Sequence, residues 1–224
     1  MFNKSKKKKP KVIIVGNSQK FISIFKSIYK NSYIKEYSWR SIIDLDFKKE
    51  KLFKYPNVIF ICGYDYKSQW YLFKRYYSSN VLMPLKLVKF LANSKTKIIY
   101  IDTISKVFKD YKKKSKYTYS RYEFAKKELR NKLNKNFRNL KVLEIAPLKT
   151  KNEVLIHGSF ITKLIFKILI KLNLIKTTDI KNIKKEIISN LYSKQKIDIY
   201  KLNPKLLSIP RSLFLDRLAR LILD

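Results

Sequence analysis

In KVIIVGNSQKFISIFKSIYK, residues 11–30, an unbroken run of apolar, β-branched residues gives way at Gly16 to apolar residues spaced three and four apart. The run 11–15 has the length and composition of a strand buried on both faces. Phe21, Ile24, Phe25 and Ile28 then share one face of a helix. Similar short runs recur at 57–62 (NVIFIC), 97–101 (KIIYI) and 141–145 (KVLEI), with helical patterns at 81–92 and 117–133 between them. Weaker strand candidates lie at 32–39 and 42–45. Strands without polar alternation, separated by helices, predict an α/β fold with a doubly wound parallel sheet covered on both faces. Ligands in such folds bind beyond the carboxyl ends of the strands, so the residues after Val15, Cys62, Ile101 and Ile145, Gly16 and Gly63 among them, are the ones to inspect.

A chain of 224 residues with 46% hydrophobic content is long and apolar enough for one domain with a substantial core. Its first ten residues read as a flexible basic tail ended by Pro10. The formal charge of +36 would attract phosphates, nucleic acid or an anionic bilayer. Lysine far outnumbers arginine and travels with Ile, Asn and Tyr, the pattern AT-rich coding leaves, and no nucleic-acid-binding signature accompanies it. No specific nucleic-acid partner is therefore expected. Cys62 and His157 are the only residues of their kinds, which argues against a zinc site and rules out an intrachain disulfide. No metal is expected. The tail lacks the apolar core of a secretory signal, so a cytoplasmic location is expected.

Residues 117–129, YTYSRYEFAKKEL, hold two tyrosines, each followed four residues later by a cation: Tyr117 with Arg121 and Tyr122 with Lys126. Both pairs are one helical turn apart. Tyr122, Ala125, Leu129 and Leu133 form an apolar stripe facing the sheet, which leaves Tyr117 and Arg121 nearer the cleft end and makes theirs the preferred register. A fixed cation beside a phenol favours the phenolate, and a guanidinium keeps its charge where a buried lysine can lose it. The plainer alternative is a surface tyrosine beside a surface arginine.

The stretch resembles the Tyr-x-x-Ser-Lys-x-Glu region of the extended short-chain dehydrogenases/reductases, the NAD-dependent epimerase/dehydratase type that acts on nucleotide sugars. Tyr117 matches the catalytic tyrosine, Arg121 takes the lysine position, and Ser120 and Glu123 match flanking positions; Tyr122 and Lys126 remain the rival register. YIDTISKVF, 100–108, resembles the family's strand end, with Thr103 as the hydroxyl that binds substrate oxygen and Ser105 as its alternative. NVLMPLKLVKFL, 80–91, resembles the helix that begins Asn-Val, with Asn80 supporting the proton relay; its plainer role is a helix cap. The resemblance covers residues 11–147 and implies a Rossmann-like NAD(P)-binding domain. It further implies an oxidoreductase or epimerase with NAD or NADP as cofactor, a nucleotide-sugar substrate and a place in cell-surface polysaccharide synthesis.

Three departures stand beside it. The phosphate turn, VGNSQKFIS, keeps Gly16 and the apolar pair Phe21-Ile22, but Gln19 or Lys20 stands at the second glycine position and Ser23 at the third. Asn17, Ser18 and Lys20 would then meet phosphate through side chains and charge. Glu36 lies near the distance of a ribose-binding carboxylate, Arg40 would favour a 2′-phosphate, and Asp44 in IIDLD resembles the Asp-Leu pair near adenine; a surface turn is its plainer reading. Arginine replaces lysine, and a planar guanidinium is not an equivalent donor. Only residues 148–224 remain for substrate binding, and they read as a short helical C-terminal extension.

In that extension GSFITKLIFKILIKLNLIK, 158–176, carries Lys163, Lys167 and Lys171, which exclude a comfortable membrane span. This helix, or SLFLDRLARLILD at 212–224 with Leu215, Leu218 and Ile222, would lie on an anionic membrane, pack on the domain, or join two copies into a homo-oligomer. A non-catalytic nucleotide-binding or assembly module of the same fold is the competing functional reading, and the missing turn glycines support it.

Overall fold

The computed structural model describes residues 9–16, 18–103, 118–145, 148–150, 154–155, 164, 167–168, 170–171, 177–192 and 199–202. The first predicted strand is β1, Lys11–Val15, and it feeds α1, Gln19–Ile28. The chain continues through β2, Tyr33–Tyr37, a 3-10 turn Phe47–Phe53, and β3, Val58–Ile61. After a second 3-10 turn, Tyr66–Trp70, helix α2, Phe73–Tyr77, runs through a π-helical turn, Ser78–Leu82, into α3, Met83–Leu91. Strand β4, Lys97–Thr103, helix α4, Thr118–Asn136, and strand β5, Leu140–Ile145, complete the predicted set. The weak candidate at 42–45 is a turn rather than a strand.

All neighbours in the main sheet are parallel, in the order β2-β1-β3-β4-β5 and then β9, Ile199–Leu202. Side chains alternate between two buried layers, which is why the strands show no polar alternation. Val12, Ile14, Phe60, Ile99 and Leu143 face α1, while Ile13, Ile59, Ile61, Tyr100 and Val142 face the other core with Leu87, Ala125, Leu129 and Leu133. Phe25 of α1 stacks on Phe60 with ring centroids 3.8 Å apart. Burying one such ring stabilises the fold by about 2 kcal/mol. The stripe Ala125, Leu129 and Leu133 is buried as its spacing implied, and Tyr122 is half-buried beside it.

The region after 147 is not helical alone. Strands β6, Leu148–Lys149, β7, Val154–Leu155, and β8, Thr178–Asp179, form a small second sheet. Helix α5, Ile180–Tyr192, buries Ile183 and Ile187 in the α1-side core, and β9 adds an edge to the main sheet. Short strands of two to four residues carry too little periodicity to announce themselves in sequence. Of the amphipathic stretch at 158–176, Leu164 and Ile168 are each 48% exposed, with Lys167 and Lys171 exposed beside them. The segment 212–224 and the tail 1–8 lie outside the described residues. Among the described residues, no helix is long and apolar enough to cross a membrane.

Candidate active site

From β1 the chain steps to one side for β2 and to the other for β3, so the strand order reverses between β1 and β3. At that point Gly16 has φ +138°, and a Cβ built there would lie 2.1 Å from the Cys62 carbonyl oxygen. The retained glycine is thus demanded by backbone closing on backbone at the ends of β1 and β3. Gly63 follows with φ +79°, its would-be Cβ 3.2 Å from Nε1 of Trp39. The Trp39 indole N–H donates to the Cys62 carbonyl at 3.0 Å. Trp39 leaves β2 and reaches β3, so its buried ring spans the carboxyl end of β1. Beside it Arg40 Nε lies 3.5 Å from Oδ1 of buried Asp65, whose Oδ2 has no hydrogen-bond partner.

Helix α1 begins at this crevice. Ser18 is its N-cap in extended conformation, with its carbonyl accepting from the Ile22 amide at 2.9 Å and no side-chain cap. The first turn carries Lys20 and no acid, which suits an anion at the positive end of the helix. Phe21 and Ile22 turn their side chains into the core, leaving only backbone toward a ligand. Asn17 lies outside the described residues. Glu36 pairs with Lys26 of α1 at 2.7 Å, and Asp44 is exposed in the turn after Ile43.

Asn80 is a buried hub. Its Oδ1 accepts from the Asp65 amide at 3.0 Å, and its Nδ2 donates to Ser68 Oγ at 2.6 Å and to the Tyr76 carbonyl at 3.1 Å. It ties the loop after β3 to the π-helical turn that presents it, a role a helix cap does not describe.

On the α4 side the two tyrosine registers separate. Tyr117 and Ser105 lie outside the described residues, and Thr103 is the last residue of β4, in register with Ile145. The Arg121 guanidinium donates to the Tyr71 carbonyl at 2.8 Å and lies over the Tyr76 ring at 5.2 Å. Tyr76 in turn donates its hydroxyl to the Arg121 carbonyl. Lys126 is buried: its Nζ donates to the Ile101 carbonyl at 2.6 Å, near the carboxyl end of β4, and sits 4.4 Å from the Tyr100 ring centroid. Burial pulls this ammonium below the ordinary lysine range, with Asp102 and Cys62 acting against the shift. Burial likewise pushes the Cys62 thiol up to about 12, although Lys126 opposes it. One turn before Lys126, the Tyr122 ring meets Tyr64 edge-on at 5.0 Å. One turn after it, Arg130 bonds Asp102 at 3.3 Å and Glu144 at 2.5 Å.

Sequence reasoning passed over Trp39, Tyr64 and Asp65. All three follow strand ends by a few residues, and the rule that selected Gly63 extends to them.

No family model matches the sequence, and no curated protein matches it. Solved structures do. The chain is similar to a dTDP-4-dehydrorhamnose reductase from Clostridium acetobutylicum, at 17% identity and a TM-score of 0.53, over 85% of this chain and 73% of that one. It is similar to the Bordetella bronchiseptica enzyme WbmF in complex with NADH, at 12% identity and 0.55, over 86% and 71%. A short-chain dehydrogenase from Streptomyces avermitilis gives 10% and 0.53, over 88% and 89%. The chain has the fold of the short-chain dehydrogenases/reductases. At these identities the likeness is one of fold.

The carboxyl end of the sheet thus gathers a glycine at the end of β1, a helix N-terminus with a lysine and no acid, and a buried ammonium by β4, a donor set suited to an anionic ligand.

Proposed function

We propose that this protein is an NAD(P)-dependent reductase, epimerase or dehydratase acting on a nucleotide sugar, with Tyr122 and Lys126 as its working pair. The observation that carries the reading is the Lys126 ammonium, buried at the Ile101 carbonyl on the ligand-binding end of the sheet. Burying a lysine with no ion pair to a carboxylate among the described residues is unfavourable for stability, and a ligand at this end of the sheet would offset that cost. Of its three N–H donors one is spent on Ile101, and the others suit ribose hydroxyls. Ser18, Lys20 and the first amides of α1 would meet the pyrophosphate. A bound nicotinamide supplies the hydride chemistry. Tyr122 exchanges a proton with the sugar oxygen, Lys126 lies one helical turn away, and Thr103 ends the adjoining strand as the hydroxyl for that oxygen. The register Tyr117/Arg121 assigns the proton to Tyr117 instead.

Titration of the purified chain with NADH and NADPH tests this, followed by turnover of a 4-keto nucleotide sugar. The expected result is dinucleotide binding that weakens at least about tenfold in Lys126→Met, and turnover lost about 10²- to 10⁴-fold in Tyr122→Phe with binding kept. Loss in Tyr117→Phe alone transfers the role to the other register. Absence of dinucleotide binding sinks the enzymatic reading.

A second reading is favoured by the side chains at the glycine positions and by Trp39 over β1: a nucleotide-binding or assembly module without catalysis. It gives binding with no turnover in any variant.

A further inference from the structure

Between Asp65 and Asp102 the chain carries no acidic residue. Within that stretch the 3-10 turn Tyr66–Trp70 leaves the carboxyl end of the sheet and leads into α2. Trp70 is 82% exposed and Leu72 85%, the two most exposed large hydrophobics among the described residues. Exposed Lys67 precedes them, and exposed Lys74 and Arg75 follow. The tip is held, not frayed. Ser68 Oγ donates to the Asp65 carbonyl at 2.6 Å, the Tyr71 amide donates to the Ser68 carbonyl at 3.0 Å, and Tyr71 accepts from Arg121 at 2.8 Å. Tyr71 also lies under the Arg75 guanidinium at 4.5 Å. A fixed backbone therefore presents one indole and one isobutyl group to solvent, with exposed cations preceding and following them along the chain.

We propose that the Trp70–Leu72 tip docks the protein on an anionic lipid surface. Trp70 and Leu72 enter the boundary between headgroups and acyl chains, where an indole is at home, and Lys67, Lys74 and Arg75 meet lipid phosphates. Single-stranded nucleic acid would use the cations and the indole, but it offers nothing to Leu72, since stacking needs π-faces. A second copy of this chain would bring the same cations face to face across a twofold axis, on a molecule already at +36. Arg121 ties the tip to α4, so the docked surface lies at the same end of the sheet as Lys126.

Flotation of the full chain with vesicles of phosphatidylcholine, with and without phosphatidylglycerol, tests the proposal at physiological salt. Wild type is expected to float only with the anionic vesicles, and Trp70→Ser/Leu72→Ser to bind at least tenfold more weakly with unchanged circular dichroism. In a Trp39→Phe background, Trp70 becomes the sole tryptophan, and acyl-chain-brominated lipid is expected to quench it. Unchanged binding of the double variant overturns the proposal by leaving charge alone as the cause. So does loss of binding in Leu164→Ser/Ile168→Ser instead, a dimer without lipid that Trp70→Ser dissociates, or quenching by an oligonucleotide without vesicle binding.

Discussion

Two glycines meet the same crevice under different constraints. At Gly16 both the backbone angle and the space forbid a side chain, because a Cβ would sit 2.1 Å from a strand carbonyl that cannot move without the sheet. At Gly63 the angle is also left-handed, but the obstacle is the edge of the Trp39 indole at 3.2 Å, which can give by a few tenths of an ångström. Gly16→Ala is therefore expected to destabilise by at least about 3 kcal/mol, and Gly63→Ala by about 1 kcal/mol. Urea unfolding of the two variants checks the order, and equal losses would show that the β1–β3 contact yields to a methyl group. The same crevice explains why Gly16 alone cannot be read as a phosphate-binding glycine: packing against Cys62 requires it with or without a ligand.

Helix α4 is held to the sheet by charge as well as by its apolar stripe. Arg130 reaches Asp102 of β4 and Glu144 of β5, which are paired in register, so one guanidinium bridges two adjacent carboxylates. Burial works against its charge, but the Glu144 bond and the Asp102 charge outweigh that and raise its pKa. The latch sits one turn from Lys126 on the same helix. Arg130→Met leaves two buried carboxylates side by side and is expected to cost about 3 kcal/mol. Adding Asp102→Asn and Glu144→Gln is expected to recover most of the loss in thermal unfolding, because the repulsion is then removed with its source. A triple variant no better than the single one would assign the stability to the packing of the arginine stem.

Buried protons couple the whole molecule to alkaline pH. An unfolded thiol titrates near 9, whereas Cys62 is held up to about 12, so the native state keeps a proton that the unfolded state loses in between. Tyr37, Tyr76 and Tyr100 are raised above 10, each chiefly by burial, and act in the same direction from about 10 upward. Each such group removes about 1.4 kcal/mol per pH unit across its window. Lys126 opposes them: its pKa is lowered, so its burial penalty is relieved as pH rises toward 10.5. Between about pH 9 and 10 Cys62 and Lys126 oppose each other, and above 10 the tyrosines join Cys62, so melting temperatures are expected to fall above about pH 10, and less steeply in Cys62→Ala. High salt should be used to screen the +36 charge. Stability that climbs through this range would mean that the buried lysine or the overall repulsion dominates.

The unbroken β-branched runs and the spacing of Phe21, Ile24 and Phe25 were sufficient for the parallel sheet, because burial on both faces removes alternation and leaves a pattern local enough to read along the chain. The strands at 148–149, 154–155, 178–179 and 199–202 were not legible, since pairs of that length exist through their neighbours. The crevice lies between these cases. Position after a strand end pointed to Gly16 and Gly63, but Trp39 reaching over β1, Asn80 joining the β3 loop to a π-helical turn, and Lys126 buried at Ile101 each join segments more than ten residues apart. Periodicity records which face of an element is apolar; which groups meet across elements depends on how those faces pack, and that is fixed only when the chain closes on itself.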